Sequence, residues 1–364
     1  MTSPSPSAPN SSSDVRVAVV GATGAVGSVM LEILAQRSFP AVEVVPFGSE
    51  RSAGRTLDGH DQLPLVPVRA LTEEAIQGFD LALFSAGSGV SREWAPRFSR
   101  AGAVVVDNSS CWRMDDGVPL VIAEVNPHAL EGHAGIVANP NCSTMQMVVA
   151  LKPIHDHAVI ERIVVSTYQS TSGTGVRAVA ELRDQAHAVL HDVPPPAPEV
   201  YPHQIAFNVI PQVEGFSDGD DYTTEERKMM AETRKILAEP SLSISATCVR
   251  EPVVTGHSES VNLQTRDDLS PQRCRDLLAG APGVTVIDDP ATAAYPLALD
   301  AAGRDEVFVG RIRRDPGHER TLNLWVVSDN LRKGAALNAV QLAEELLARD
   351  LIGSRPDGAS VPAA

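Results

Sequence analysis

The segment Val15–Val20, VRVAVV, is apolar at every position but one, and Gly21-Ala-Thr-Gly-Ala-Val-Gly27 follows it at once. A helical pattern, SVMLEILAQR, comes directly after the turn. This order of buried strand, glycine turn and helix restricts the possible folds more than any other feature of the chain. A strand that is apolar on both faces needs cover on both faces, which a parallel sheet with crossover helices provides. Similar runs occur at 42–47, 80–84 and 103–107, with SREWAPRFSRAG as a helix between the last two. The expectation is an α/β, Rossmann-like, doubly wound parallel sheet. Gly21, Gly24 and Gly27 would let backbone approach a pyrophosphate, with N–H groups at the helix start to receive it. The spacing is GxxGxxG rather than GxGxxG, so the turn alone also fits a tight connection that holds nothing.

The tip of the second strand reads Phe47-Gly-Ser-Glu-Arg-Ser-Ala-Gly54. A site for NAD usually places an acid there for the ribose hydroxyls. Ser49, Arg51 and Ser52 suit a 2′-phosphate instead, while Glu50 argues the other way. The balance favours NADP.

After residue 141 the pattern changes. A helix is expected from Cys142 to about residue 155, then the strand ERIVVSTYQ, a helix at 178–190 and a proline-rich loop, DVPPPAPEVYP. SLSISATCVR, SESVNLQTR, EVFVGRIRR and TLNLWVVSD alternate with period two, which suggests an antiparallel or mixed sheet with one exposed face. A last helix, GAALNAVQLAEELLARD, closes the order. At 364 residues two domains are expected. The divisions are a Ser/Pro-rich tail at 1–13, a cofactor domain at 14–141, a mixed α+β substrate and dimerisation domain at 142–328, a helix returning to the first domain at 329–352, and a second tail at 353–364.

The net charge of −16 offers no basic face for nucleic acid. No apolar run approaches the roughly 20 residues that span a membrane. Four scattered cysteines without a CxxC suggest no disulfide framework, and a reducing cytoplasm is expected. His155/His157 and His187/His191 have ligand-like spacings, but the first pair lies where a helix ends. The second lacks the glutamate of a metalloprotease motif, and no metal is expected.

Cys142, in IVANPNCST, stands at or just before a helix start. There N–H groups and the helix dipole would favour a thiolate, and the same N–H groups could hold an oxyanion. The competing reading is a small buried hydrophobe. A thiol nucleophile needs an acid–base partner. His257, after a glycine between two strands, could project into a cleft, and Arg250 near the end of the preceding strand could grip a carboxylate. A surface histidine and a surface arginine remain the alternative on that segment alone.

Taken together, VAVVGATGAVG, SERSAG, DNSSCWRMDDGVPLVIAEVN, ANPNCSTMQMVVAL, STYQSTSGTG, DYTTEERKM, SATCVREPVVTGHSESV and SDNLRKGAALNAVQ resemble the aspartate-β-semialdehyde dehydrogenase family over nearly all of the chain outside its tails. The resemblance implies Cys142 as nucleophile, His257 as acid–base group and Gln169 as the residue orienting the acyl intermediate. It implies Arg250 for the substrate carboxylate, Glu226 for its ammonium, Lys228 and Arg113 for phosphate, and Asn141 among the substrate-binding residues. Gly21, Thr23, Gly24, Ala25, Val26, Gly27, Arg51, Ser52, Ser172, Gly173 and Asn330 would contact NADP. The implied reaction is reversible reduction of L-4-aspartyl phosphate to L-aspartate 4-semialdehyde by a homodimer, serving lysine, threonine, methionine and diaminopimelate synthesis. Arg227 and Glu251 depart from the family pattern, and Glu251 stands where it could weaken Arg250's hold on a carboxylate. The alternatives are N-acetyl-γ-glutamyl-phosphate reductase, which has no use for an acid facing an ammonium, and a non-enzymatic NADP-binding regulator.

Overall fold

The protein's structure, a computed structural model, describes residues 15–57 and 62–353; the expected tail at 1–13, and that at 353–364 apart from its first residue, lie outside the described residues. The first sheet begins with β1 (Val15–Val20), which feeds α1 (Ala25–Gln36), and continues through β2 (Ala41–Gly48), β3 (Arg69–Ala70) and β4 (Leu81–Phe84). Helix α2 (Ser88–Arg100), β5 (Val104–Asp107) and β6 (Ile136–Ala138) complete it. The order is β3-β2-β1-β4-β5-β6, every pairing parallel. The order reverses between β1 and β4, and a crevice at such a point, outside the carboxyl ends of the strands, is where ligands bind in open α/β sheets.

The glycine turn sits in that crevice. Gly21 has φ +85°, and a Cβ there would lie 2.9 Å from the Ser85 carbonyl oxygen. A Cβ on Gly27 would lie 2.2 Å from the Gly21 oxygen. Only glycine lets β1 pass this closely into α1.

The second sheet follows α3 (Cys142–Ala158). Its elements are β7 (Ile160–Gln169), α4 (Val176–Leu190), α5 (Thr224–Leu237), β8 (Ser243–Arg250), β9 (His257–Thr265), α6 (Pro271–Ala279), β10 (Val284–Val286), α7 (Ala298–Ala301), β11 (Val307–Arg314) and β12 (Thr321–Ser328). The order is β10-β11-β12-β9-β7-β8. It is a mixed sheet: β7/β8 and β10/β11 are parallel, the other pairs antiparallel. Helices α3, α5 and α6 bury one face, and β8 alternates exposed and buried residues as a half-covered strand should.

After β12 the chain passes through a π-helical turn at Arg332–Ala336 into α8 (Leu337–Ala348). Leu337, Val340, Leu342 and Leu346 of α8 share a core with Val17 and Val19 of β1, Leu81 of β4 and Val104 of β5. Lys333, fully buried, is paired with Glu124 and hydrogen-bonded to Gln341 at 2.8 Å.

Candidate active site

Both sheets and α3, α5 and the π-helical turn bring polar residues to one place. Cys142 lies where two cavities meet. One, of about 460 Å³, is lined by Asn141, Gln169, Glu225, Arg250 and Tyr201. The other, of about 390 Å³, is lined by Arg113, Lys228, Asn330, Gly334 and Val26 of the glycine turn. Together they join the crevice of the first sheet to a charged cleft on the second.

Cys142 opens α3, and Asn141 is the N-cap. The Asn141 Oδ1 accepts the Ser143 and Thr144 N–H groups at 3.0 and 3.2 Å. That corrects one expectation: those two donors are occupied and do not await an oxyanion. The thiol also departs from expectation. Cys142 keeps some exposure to the cleft, yet its pKa is pushed up to about 12. Burial is the larger cause and the Glu225 carboxylate adds to it, while Arg250, Arg113 and the Ser143 N–H pull the other way. Burial and a like charge outweigh the helix end. Gly334 backs the cysteine, since a Cβ there would lie 2.8 Å from that of Cys142.

His257 opens β9 and is fully buried. Its Nδ1 accepts the Ser170 backbone N–H at 3.0 Å. Burial and then the Arg250 charge hold its pKa well below the usual histidine value, so the ring is neutral. With Nδ1 accepting, the proton of a neutral ring resides on Nε2. That Nε2 has no partner among the described residues, and the turn at Gly173 passes beside it. Arg250 donates from Nη1 to the Ser170 oxygen at 2.6 Å. Its buried Nε is unpartnered, and its guanidinium lies 5.9 Å from the Tyr201 ring centre. Gln169 donates to Glu225 at 3.1 Å and to Thr167 at 3.3 Å, which commits its amide nitrogen and leaves its oxygen without an intramolecular role.

The acid expected at the ammonium needs correction. Glu226 is engaged elsewhere: its Oε2 accepts the Thr223 N–H at 2.7 Å and its Oε1 the Cys248 N–H at 2.8 Å. It completes a capping box at the start of α5. Its neighbour Glu225 lines the cleft, receiving Asn141 at 2.9 Å and Gln169 at 3.1 Å. The sequence signal was present, because Thr223-Thr-Glu-Glu226 is the S/T-x-x-E pattern that commits the second glutamate to backbone. Lys228 pairs with Glu214 and lies 3.8 Å from Glu225. Arg113 pairs with Glu232 at 3.0 Å and donates to the Asn139 and Asn108 oxygens.

Sequence reasoning also missed the wall of the cleft. Glu181 of α4 accepts the N–H groups of Glu199 and Val200 at 2.7 and 2.6 Å and reaches that of Tyr201 at 3.4 Å. Gln185 holds the Ile205 N–H at 2.9 Å. Two polar side chains on one helix face thus tie down the strap that carries Tyr201 over Arg250.

The residues expected to hold a dinucleotide fit one. Gly24, the N-cap of α1, offers no side-chain cap, which leaves the first N–H groups of the helix open to an anion. Thr23 is exposed, and the space a Cβ would fill at Gly48 is bounded by Thr23 and Ser52. Arg51 is exposed beside them, and the Ser49 and Ser52 hydroxyls are 3.4 Å apart. Ala25 and Ser172 face a groove of about 260 Å³, and Asn330 donates to Ser172 at 2.9 Å. Among the described residues no cluster of histidine, cysteine and acid has metal-site geometry. His187 and His191 stack 4.2 Å apart on α4.

Two family models match the chain: "Semialdehyde dehydrogenase, NAD binding domain" over residues 16–133 and "Semialdehyde dehydrogenase, dimerisation domain" over 151–333. The aspartate-semialdehyde dehydrogenase of Aquifex aeolicus is 53% identical over 342 residues, covering 93% of this chain and 99% of that protein. Aspartate semialdehyde dehydrogenase II of Vibrio cholerae, crystallised in complex with ASA, superposes with a TM-score of 0.87 at 46% identity, covering 93% and 99%. The Candida albicans enzyme, crystallised with NADP, gives a TM-score of 0.72 at 25% identity, covering 93% and 100%.

Proposed function

The chain belongs to the aspartate-semialdehyde dehydrogenase family, and on that premise we propose that it converts L-4-aspartyl phosphate and NADPH reversibly to L-aspartate 4-semialdehyde, phosphate and NADP through a Cys142 thioester. The observation that carries this reading is the distribution of charge around Cys142. Arg250 suits the substrate carboxylate and Glu225 its ammonium, while Lys228 and Arg113 in the adjoining cavity suit the phosphate. The acid in the cleft argues against a substrate whose nitrogen is acylated.

The Cys142 thiol gives up its proton to the departing phosphate as its sulfur attacks the acyl phosphate carbon. The C–S bond forms, the C–O bond to phosphate breaks, and phosphate leaves with the electron pair. Gln169 and Arg250 keep the substrate in place, and Glu225 holds the Gln169 amide in its orientation. A dinucleotide held at the Gly21–Gly27 turn would supply the hydride that reduces the thioester carbon. The Nε2–H of His257 then donates to the developing oxyanion, the role the capped helix end does not fill. Collapse of the thiohemiacetal expels the Cys142 thiolate and frees the aldehyde. We further propose NADP over NAD from Ser49, Arg51 and Ser52, a homodimer from the dimerisation-domain match, and service to amino acids derived from aspartate.

The test is reduction of NADP by the purified protein with aspartate semialdehyde and phosphate. Wild type turns over, and Cys142→Ser loses nearly all kcat while keeping its fold, because a serine hydroxyl lies too high in pKa to replace the thiolate. A variant retaining a tenth of wild-type kcat overturns the covalent mechanism. Turnover of N-acetylglutamate semialdehyde in preference overturns the substrate.

A further inference from the structure

Glu259 is the strongest unexplained group in the molecule. It lies on β9 two residues beyond His257, so both side chains project from the same face of that strand. It is fully buried, and among the described residues neither carboxylate oxygen has a hydrogen-bond partner. Gln146, on α3 one turn beyond Cys142, is also fully buried. Its Oε1 accepts the Ser328 hydroxyl at 2.7 Å, and its Nε2 is unpartnered. Ser328 pairs with His257 across β12 and β9, two residues before Asn330. These three residues therefore stand behind the elements that carry Cys142, His257 and Asn330.

We propose that Glu259 and Gln146 form a buried acid–amide pair that sets α3, and with it Cys142, against the strand that carries His257. The reading rests on the proposed dehydrogenase mechanism for its catalytic consequence, and Glu259 acts in it as a positioning residue. An ionised carboxylate without partners is too costly to bury, so the group is held as a neutral acid, with one O–H to give and one oxygen to receive. A primary amide offers the matching donor and acceptor. Burial pushes the Glu259 carboxyl well up, and Gln146 opposes the rise, which places the amide close by, although no hydrogen bond of normal geometry closes between them. A small rotation of either side chain satisfies both. Across the sheet Val326 on β12 is apolar, and the polar neighbours are Thr167 on β7 and the titratable Cys248 on β8, whose thiol burial also pushes up. Neither supplies a positive charge.

Glutamine at 259 can replace a neutral acid, and leucine cannot. Glu259→Gln should keep kcat within about threefold, whereas Glu259→Leu should lose about ten- to a hundredfold in kcat with KM little changed, as expected when reacting groups are misplaced rather than binding lost. Gln146→Leu should resemble it, and the double variant should be no worse than the poorer single. A second readout needs no turnover. Folding takes up a proton at Glu259 above the unfolded carboxyl range, so wild-type stability falls with rising pH until the folded group itself ionises. Glu259→Gln lacks that slope, so its melting temperature should gain on wild type as pH rises from about 4.5 to 8. A glutamine variant as impaired as the leucine variant, a leucine variant with wild-type kcat, or a melting difference independent of pH overturns the pair. If wild type shows no turnover with aspartate semialdehyde, the dehydrogenase reading fails, and the melting comparison still decides the pair.

Discussion

Adjacent glutamates on α5 show how finely residue-level function is divided. Positions 225 and 226 differ by about 100° around the helix, which turns one carboxylate to the cleft and the other to backbone. Glu225→Gln should cut kcat/KM by about one and a half to three orders of magnitude, since neutralising one partner of a desolvated ion pair costs roughly 2–4 kcal/mol. Glu226→Ala should instead lower stability by about 1–3 kcal/mol through two orphaned backbone donors, with a much smaller change in kcat/KM. Steady-state kinetics and denaturation of both variants check this; equal kinetic losses would mean that Glu226 also meets substrate. Cys142, the proposed nucleophile, carries its own pH signature. With the thiol at about 12, alkylation of Cys142 by iodoacetamide in the empty enzyme should rise about tenfold per pH unit from 7 to 10. A plateau near pH 9 would show an ordinary thiol. The placement of Cys142 and Arg250 at the cleft was legible from a helix start and a strand end, whereas His257, expected to project into a cleft after its glycine, lies fully buried behind Gly173. The balance at the sulfur was not legible, because it depends first on burial by the folded chain and then on Glu225, a residue 83 positions away in sequence.

Among the elements, the period-two strands and the glycine turn could be read directly. Helix α5 was harder, because Glu225, Glu226 and Glu232 occupy its buried face and interrupt the apolar stripe that marks a helix. Its inward acids serve a site and a cap rather than a core. The π-helical turn before α8 left no trace in a pattern that reads as one continuous helix; it widens the backbone where Gly334 backs Cys142. The strap over the cleft depends on α4 in a testable way. Glu181→Ala removes the acceptor for consecutive N–H groups at 199–201 and should loosen Tyr201 beside Arg250. The expected outcome is a KM for aspartate semialdehyde raised several-fold with kcat nearly unchanged, and an unaltered KM would show that the strap does not wall the substrate site.

For the molecule as a whole, α8 decides the stability of the first sheet. Leu337, Val340, Leu342 and Leu346 are buried, and each such side chain contributes about 1.5–3 kcal/mol. Removing residues 337–364 forfeits a sum comparable to the whole stability of a domain, about 5–15 kcal/mol. The truncated chain should show no cooperative melting transition for its first sheet and no binding of a dinucleotide, as measured by calorimetry and fluorescence titration. A truncated chain that still melts cooperatively and binds would make α8 an accessory. The same arrangement sets a schedule for biosynthesis. A ribosome delivers β1 to β6 early, but the helix that seals them emerges roughly 200 residues later, a delay of about 10–40 s at typical elongation rates. For that interval the part of the apolar sheet face that α1 does not cover waits exposed, so the nascent chain should be a client for holding chaperones, and its first sheet completes its packing only once α8 has emerged.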